Sequence, residues 1–281
     1  MLRGPLSARA ILTTVGDLFL PRECLVCGRT LLRGEQHLCL PCMEDLPRTW
    51  HFSMEHNAMA DRFNAMIQRD LTAWEEAVQA PLGAVWREPY ERAAALFFYN
   101  ANSSYRNIPQ SIKYKGNVAA GRFFGTLLGE EIRRDSSLYG DVTVVMPVPL
   151  HPLRRWRRGY NQAEVIAKAV AGALGVPMET HILSRKRRTR TQTRLSVEQK
   201  AANVRGAFGV NVGRLRKLLS SSYLQRSAEG RINVLLIDDV FTTGATLNAC
   251  HHALREAFTE LGIPPQSARI SIATLAFVGS P

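Results

Sequence analysis

At 281 residues and 46% apolar side chains, the chain has room for one large α/β domain with a small appendage, or for two modest domains. That composition excludes a disordered chain. No apolar run of about eighteen residues or more is present, so no membrane span is predicted. The first residues lack a convincing signal-peptide cleavage site, and a cytoplasmic location is expected. The formal net charge of +12 is unevenly placed, with sixteen Lys and Arg against three Glu between Leu150 and Lys217. A charge excess confined to one region points to a polyanionic ligand there: pyrophosphate, a nucleotide or a nucleic acid backbone.

In chain order, Leu6 to Leu20 reads as a basic amphipathic helix. Cys24, Cys27, Cys39 and Cys42 follow as two Cys-x2-Cys turns separated by eleven residues. Each turn aims two thiolates at one point, and four thiolates make a closed tetrahedral zinc site with no position open for chemistry. A small lobe with little core gains most of its stability from such a metal. A cytoplasmic chain argues against stable disulfides, and the paired motif argues against a lone redox centre. An iron–sulfur cluster uses the same number of ligands and stays open. Residues 1–50 are read as this helix and zinc module. Residues 51–89 are read as irregular connection with a few amphipathic turns and a candidate short helix over Met59 to Trp74.

From residue 90 to 281 an α/β rhythm sets in. Strands are predicted at Arg92–Asn100, Asp141–Leu150, Ile232–Ile237 and Ala268–Val278 from their apolar, β-branched runs. Helical spacing predicts helices at Tyr105–Lys115, Ala119–Arg133, Gln162–Leu174 and Ala245–Leu261. The alternation implies an α/β fold, a mostly parallel sheet flanked by helices on both faces. Ligands of such sheets bind beyond the carboxyl ends of the strands, here Pro147–Leu150 and Asp238–Thr246. Cys250, inside the last helix, reads as a buried small hydrophobe rather than a nucleophile.

The stretch "VLLIDDVFTTGAT", Val234 to Thr246, places two acids and a Thr/Gly turn directly after a buried strand. Taken alone it favours an ordinary strand end with Thr243 as a helix N-cap. The same residues suit a phosphorylated sugar. The carboxylates of Asp238 and Asp239 accept hydrogen bonds from vicinal hydroxyls, while the backbone at Gly244 and the helix start favour an anion.

The stretch resembles the ribose-5-phosphate-binding loop of type I phosphoribosyltransferases. "PVPLHPLRRWRRGYNQAE" (Pro147 to Glu164), "RTRTQTRLSVEQKAANVRGAF" (Arg188 to Phe208), "SIKYKG" (Ser111 to Gly116) and the four-cysteine module followed by Leu46 and Pro47 resemble the competence protein F family. The resemblance runs from about Leu18 to the C-terminus in the family's motif order. It implies a type I phosphoribosyltransferase-like fold binding phosphoribosyl pyrophosphate with Mg²⁺. Asp238 and Asp239 would take the ribose hydroxyls, and Thr242, Thr243, Gly244, Ala245 and Thr246 the 5-phosphate. Arg158, Gly159, Tyr160, Asn161 and Gln162 would lie near the pyrophosphate. Asp238, Asp239 and Arg158 are the residues such a reading makes catalytic. Thr189, Gln192, Leu195 and Asn203 correspond to a mobile hood, in which Lys200 stands where the family usually has Arg, so the charge survives without the bidentate geometry. No assured general base and no pocket for an accepting nucleobase is recognisable.

The family is linked to natural transformation and use of external DNA, which implies single-stranded DNA and a helicase as partners. "LRRWRRG" and "RKRRTRTQTR" carry more cations than a pyrophosphate needs, and clustered Arg beside an aromatic is also a single-strand-binding pattern. Two readings therefore stand: a phosphoribosyltransferase, or a non-catalytic accessory protein that handles single-stranded DNA.

Overall fold

The β-branched and aromatic runs near the middle and end of the chain build the sheet around which everything else is layered. The structure is a computed structural model, and it describes residues 22–78, 89–100, 102–134, 136–185, 206–221 and 231–279. Strands Ala93–Tyr99 (β1) and Val144–Pro147 (β2) are followed by a small antiparallel ribbon of Leu183–Arg185 (β3) and Phe208–Val210 (β4). Ile232–Phe241 (β5) and Ala268–Val278 (β6) complete a four-stranded sheet in the order β1-β6-β5-β2, parallel throughout. A parallel sheet needs helices on both faces, which accounts for strands that are apolar nearly from end to end.

The described helices are Leu40–Glu44 (α1), Ala58–Val78 (α2), Asn107–Tyr114 (α3), Val118–Arg134 (α4), Ser136–Tyr139 (α5), Pro152–Arg158 (α6), Gln162–Leu174 (α7), Val212–Leu219 (α8) and Ala245–Glu260 (α9). Successive residues of β5 alternate between the two faces. Leu235 and Ile237 are buried with Phe124, Leu128 and Ile132 of α4 and with Ile166 and Val170 of α7. Val234 and Leu236 are buried on the other side with Met59 and Phe63 of α2 and with Leu254 and Phe258 of α9. Close contact between α4 and α7 depends on absent side chains. A Cβ at Gly125 would sit 2.9 Å from the Ile166 carbonyl oxygen, and one at Gly129 2.6 Å from the Ala173 Cβ.

Three departures from the sequence expectations bear on function. The stretch expected as irregular connection carries a 21-residue helix, α2, longer than Met59–Trp74, and its buried face joins the sheet core. The predicted strand Asp141–Leu150 contracts to Val144–Pro147, because Pro147 and Pro149 have no N–H to offer a ladder. The Val148 N–H to Ile237 carbonyl bond, 2.9 Å, marks the last link between β2 and β5. Third, β5 does not stop at Ile237 but runs to Phe241, paired on its other edge with β6 through Phe241 and Phe277. The acidic pair therefore lies within a strand, at the level where its neighbour β2 has ended. The expected helix over Leu6 to Leu20 and the stretch containing Thr189, Gln192, Leu195, Lys200 and Asn203 lie outside the described residues.

A buried charge network ties the segment before β1 to α9. Glu91, fully buried, pairs with the Arg255 guanidinium, accepts the Ile270 N–H at 3.0 Å and lies 3.2 Å from the His251 ring. Asn64 of α2 closes the network by accepting the Glu91 N–H and donating to its carbonyl, both at 2.8 Å. Removing one member of such a buried pair costs about 3–5 kcal/mol, since the other charge is stranded. Among the described residues no helix is long and apolar enough to cross a membrane.

Candidate functional site

The four cysteines converge as the spacing predicts. The Sγ atoms of Cys24, Cys27, Cys39 and Cys42 all lie within 4.8 Å of one another, and Cys27 and Cys39 are 3.6 Å apart. Tetrahedral zinc with Zn–S bonds of about 2.3 Å requires sulfur–sulfur distances of about 3.8 Å, so the donor set fits a single zinc ion. An iron–sulfur cluster places several irons and sulfides between its thiolates and would spread them further. The first turn is closed by the Gly28 N–H on the Cys24 carbonyl at 2.9 Å, with Gly28 at φ 75°, a conformation glycine adopts without strain. Burial opposes ionisation of the Cys24 thiol, but N–H groups of Cys27, Cys39 and Val26 outweigh it and bring the pKa down to about 6. His37 packs against Phe123 at 5.4 Å and is not among the converging ligands. The module is not an isolated lobe: Cys24, Leu31, Leu38 and Cys39 are buried in the same cluster as Phe124 and Leu128 of α4.

At the carboxyl edge of the sheet, where β2 ends short of β5, a cleft of ≈ 250 Å³ opens. Asp238 and Asp239 of β5 line it together with Thr242, Thr246, Arg158, Asn161 and Gln162. Asp239 is only 3% exposed; its Oδ1 is 2.9 Å from the Lys113 Nζ, and its Oδ2 is buried with no hydrogen-bond partner among the described residues. Asp238 is half-buried, and its Oδ1 accepts the Asp239 N–H at 2.9 Å. Burial costs the Lys113 charge, yet the Asp239 and Asp238 carboxylates more than offset that and hold its pKa above the ordinary lysine range.

Burial, and after it the Asp239 charge, pushes the Asp238 carboxyl up to about 7, against the pull of Lys113 and the Asp239 N–H. A carboxyl whose folded pKa exceeds its unfolded value of about 3.9 binds extra protons in the folded state between those limits. Its contribution to stability is fully present below about pH 4 and is lost as pH rises through about 7. Asp238→Asn removes this dependence. The variant is expected to gain on the wild type by about 1–2 kcal/mol more at pH 8 than at pH 5. Denaturant melts at both pH values check this, and a difference independent of pH would contradict it.

The turn after β5 leads into α9 through Gly244 at φ 79°. A Cβ there would meet the Phe241 ring at 2.6 Å and the Met66 Sδ at 3.0 Å, so glycine is demanded by packing as well as by conformation. Gly244, not Thr243, occupies the N-cap position, and no side chain caps the helix. The Thr243 Oγ1 accepts the Ala245 N–H at only 3.4 Å. The helix start thus retains N–H groups for an external anion.

No family model matches the chain. It is 31% identical over 235 residues to DNA utilization protein YhgH of Salmonella typhimurium, covering 82% of this chain and 89% of that protein. The chain belongs to the competence protein F and DNA utilization family. With competence protein F of Haemophilus influenzae it shares 35% identity over 116 residues, and the match spans 41% of this chain and 45% of that protein. Competence protein ComFC of Streptococcus pneumoniae is 25% identical over 250 residues, 84% of this chain and 94% of the other. Among solved structures, glutamine phosphoribosylpyrophosphate amidotransferase from B. subtilis, complexed with ADP and GMP, has 17% identity and a TM-score of 0.23, covering 58% of this chain and 36% of that one. At that score the likeness supports neither fold nor function.

Within the family motif Arg158–Gln162, the structure divides the residues by task. Arg158 donates to the Gln162 Oε1 at 3.1 Å and lies over the Tyr114 ring at 5.3 Å, with both Arg158 and Gln162 on the cleft. Gly159, at φ 78°, ends α6. Asn161 caps α7, accepting the Ala163 N–H at 3.2 Å, and its amide donates to the Val148 carbonyl at 3.0 Å, so it ties the loop to the end of β2. Tyr160 donates its hydroxyl to the Ile112 carbonyl. Ala245 and Thr246 start α9, with Thr246 on the cleft. Among the charged residues of the cleft, Lys113, Arg154 and Arg185 carried no individual role in the sequence reading. Lys113 lies inside "SIKYKG", so the motif signalled the region, but only the fold brings it onto Asp239. Cys250 is buried, as expected.

Proposed function

We propose that the cleft binds phosphoribosyl pyrophosphate with Mg²⁺. The observation that supports this most is the buried Asp239, with one oxygen partnered by Lys113 and the other without a partner among the described residues, at the meeting point of a helix start and the Arg158 loop. An unpartnered buried carboxylate oxygen costs about 1–3 kcal/mol and more when charged, which a ligand hydroxyl relieves. In this reading the ribose hydroxyls lie against Asp238 and Asp239. The 5-phosphate meets the N–H groups and hydroxyls at Thr242–Thr246, and the pyrophosphate faces Arg158. Mg²⁺ bound with the ligand would supply charge neutralisation at the pyrophosphate. The arginines of the cleft stabilise the charge that would leave in a transfer. The four-cysteine cluster holds zinc as a structural ion, remote in role from any transfer. A melting-temperature rise on adding phosphoribosyl pyrophosphate with Mg²⁺ tests the reading.

A second reading has its own observation. Trp156 is 84% exposed among the arginines of α6, and Tyr114, 72% exposed, stands beside Arg158. Exposed rings interleaved with Arg are a stacking platform for single-stranded DNA, and the family's link with DNA use, with a helicase partner during uptake, agrees with it. Trp156→Ala is expected to weaken oligothymidine binding by about 5- to 100-fold, a loss of about 1–3 kcal/mol per stacked base. Fluorescence anisotropy at two salt concentrations measures it, since the arginine contribution falls with salt while the stacking contribution does not. An unchanged affinity would remove this reading.

A further inference from the structure

The segment that joins the four-cysteine module to α2 covers the outer edge of β1. Phe98 donates its N–H to the Pro47 carbonyl at 2.7 Å, and the Thr49 N–H bonds the Leu96 carbonyl at 3.3 Å. The chain then turns at Trp50, whose φ of 57° lies in the left-handed region. A bulky side chain strains that conformation, which persists only where the surroundings hold it. Here the neighbours do. The Thr49 hydroxyl donates to the Ala95 carbonyl. The His51 ring packs on Phe98 and Phe277 at 5.4 and 5.7 Å, and Phe52 packs on Tyr139 of α5 at 5.7 Å. The N–H and the hydroxyl of Ser53 both bond the Trp50 carbonyl, at 3.3 and 2.9 Å.

Burial does not repay the strain, because Trp50 is 59% exposed. It lines a cavity of ≈ 230 Å³ that shares no residue with the cleft at Asp238. Phe52 and Leu96, both buried, give that cavity an apolar part. Its charged members are Arg48, Glu131 and Arg134. Arg48 pairs with Glu131, and Arg134 pairs with the same carboxylate at 3.2 Å. Two guanidiniums on one carboxylate leave one positive charge in surplus. Arg134 reaches Glu131 through Nη1 alone, and its side chain is 70% exposed, so among the described residues its other N–H donors stay available.

Tryptophan and arginine around a pocket are the composition of interface hot spots, and a side chain already held in place lowers the cost of association. One surplus cation suits a carboxylate, whereas a nucleic acid backbone calls for several. We infer that Trp50 and this cavity form a docking site for an acidic segment of a partner protein. The partner inserts one bulky apolar side chain beside Trp50 and sets a neighbouring carboxylate on Arg134. The site stands apart from the sugar-phosphate reading and does not depend on it.

The test selects random linear peptides, displayed on phage, on the full wild-type chain, with counter-selection on Trp50→Gly. Glycine adopts the turn without strain, so this variant removes the ring and spares the backbone. It is expected to melt no more than about 4 °C below the wild type. The surviving peptides are expected to share a bulky apolar residue next to Asp or Glu. Measured by calorimetry with one such peptide, Trp50→Gly should lose about 30-fold or more, the scale of a hot spot. Arg134→Gln, at an exposed position, should lose about 2- to 5-fold, and less as salt is raised. A larger fall in melting temperature would mark Trp50 as a packing residue and overturn the inference. So would survivors without that pattern, or none at all. Loss in Trp50→Gly of oligothymidine binding or of self-association would assign the face to nucleic acid or to a second copy instead, and would equally overturn it.

Discussion

Replacing Cys39 by serine is expected to yield protein without stoichiometric metal and with a melting temperature lower by about 10 °C or more. The four thiols lie within 4.8 Å of one another. Their metal is therefore a cross-link between two turns whose own buried surface is small. Structural zinc sites of this type have apparent binding free energies of about 10–16 kcal/mol, comparable to the whole stability of a domain. The effect should not stay local, because Cys24 and Cys39 share a buried cluster with Leu31, Leu38, Phe124 and Leu128. Losing the module exposes one face of α4, and a few kcal/mol in a chain of this size moves the melting temperature by about 2–4 °C for each. Cys250→Ser serves as the control: the residue is buried far from any metal role and should keep the zinc content of the wild type. Elemental analysis of freshly purified protein decides the matter. Neither zinc nor iron in the wild type would contradict the cluster as a metal site, and iron with labile sulfide would replace zinc by an iron–sulfur centre.

The second large effect is expected at the acidic pair. Asp238→Asn with Asp239→Asn should abolish the stabilisation that phosphoribosyl pyrophosphate and Mg²⁺ give the wild type. Hydrogen bonds to charged groups contribute about 1.5–3 kcal/mol each, so losing both lowers affinity by about 10²–10⁴-fold. The double variant also leaves the Lys113 ammonium, now 2.9 Å from Asp239, without its carboxylate partner. By contrast, the hydroxyl of Thr243 makes one weak contact, 3.4 Å to the Ala245 N–H. Its removal should cost little in the ligand-free state. Differential scanning fluorimetry at saturating ligand separates these cases. A double variant stabilised as much as the wild type would show that the ligand binds elsewhere.

Much of this was legible in the chain because the signals were local. The apolar runs of β5 and β6, the helical spacing of α4 and α7, and the Cys-x2-Cys turns each occur within a few residues, and each forms about where expected. What was not legible depends on contacts between distant segments. The segment before residue 90 looked like connection because its polar residues hide the stripe of Met59, Phe63 and Ile67, which matters only once β1 and α9 supply the opposing surface. Asp238 and Asp239 looked like a strand end because β5 was judged by its own hydropathy. Its pairing with β6 carries it four residues past Ile237, while β2 stops beside it. Lys113 lies 126 positions from Asp239, so no spacing rule links them. Asn161 looked like a ligand-facing residue in the motif, and the fold gives it a structural task as well, joining α7 to the end of β2.

We read the cleft at the carboxyl edge of the sheet as a site for a sugar carrying two anionic groups. Its most direct test is the melting temperature of the wild type titrated with phosphoribosyl pyrophosphate at fixed Mg²⁺. At about a hundred times the dissociation constant a ligand stabilises the folded state by about 2.7 kcal/mol, which is about 5–10 °C here. A saturable rise of that size, absent with Mg²⁺ alone, is the result expected. A flat melting temperature up to millimolar ligand would contradict the claim.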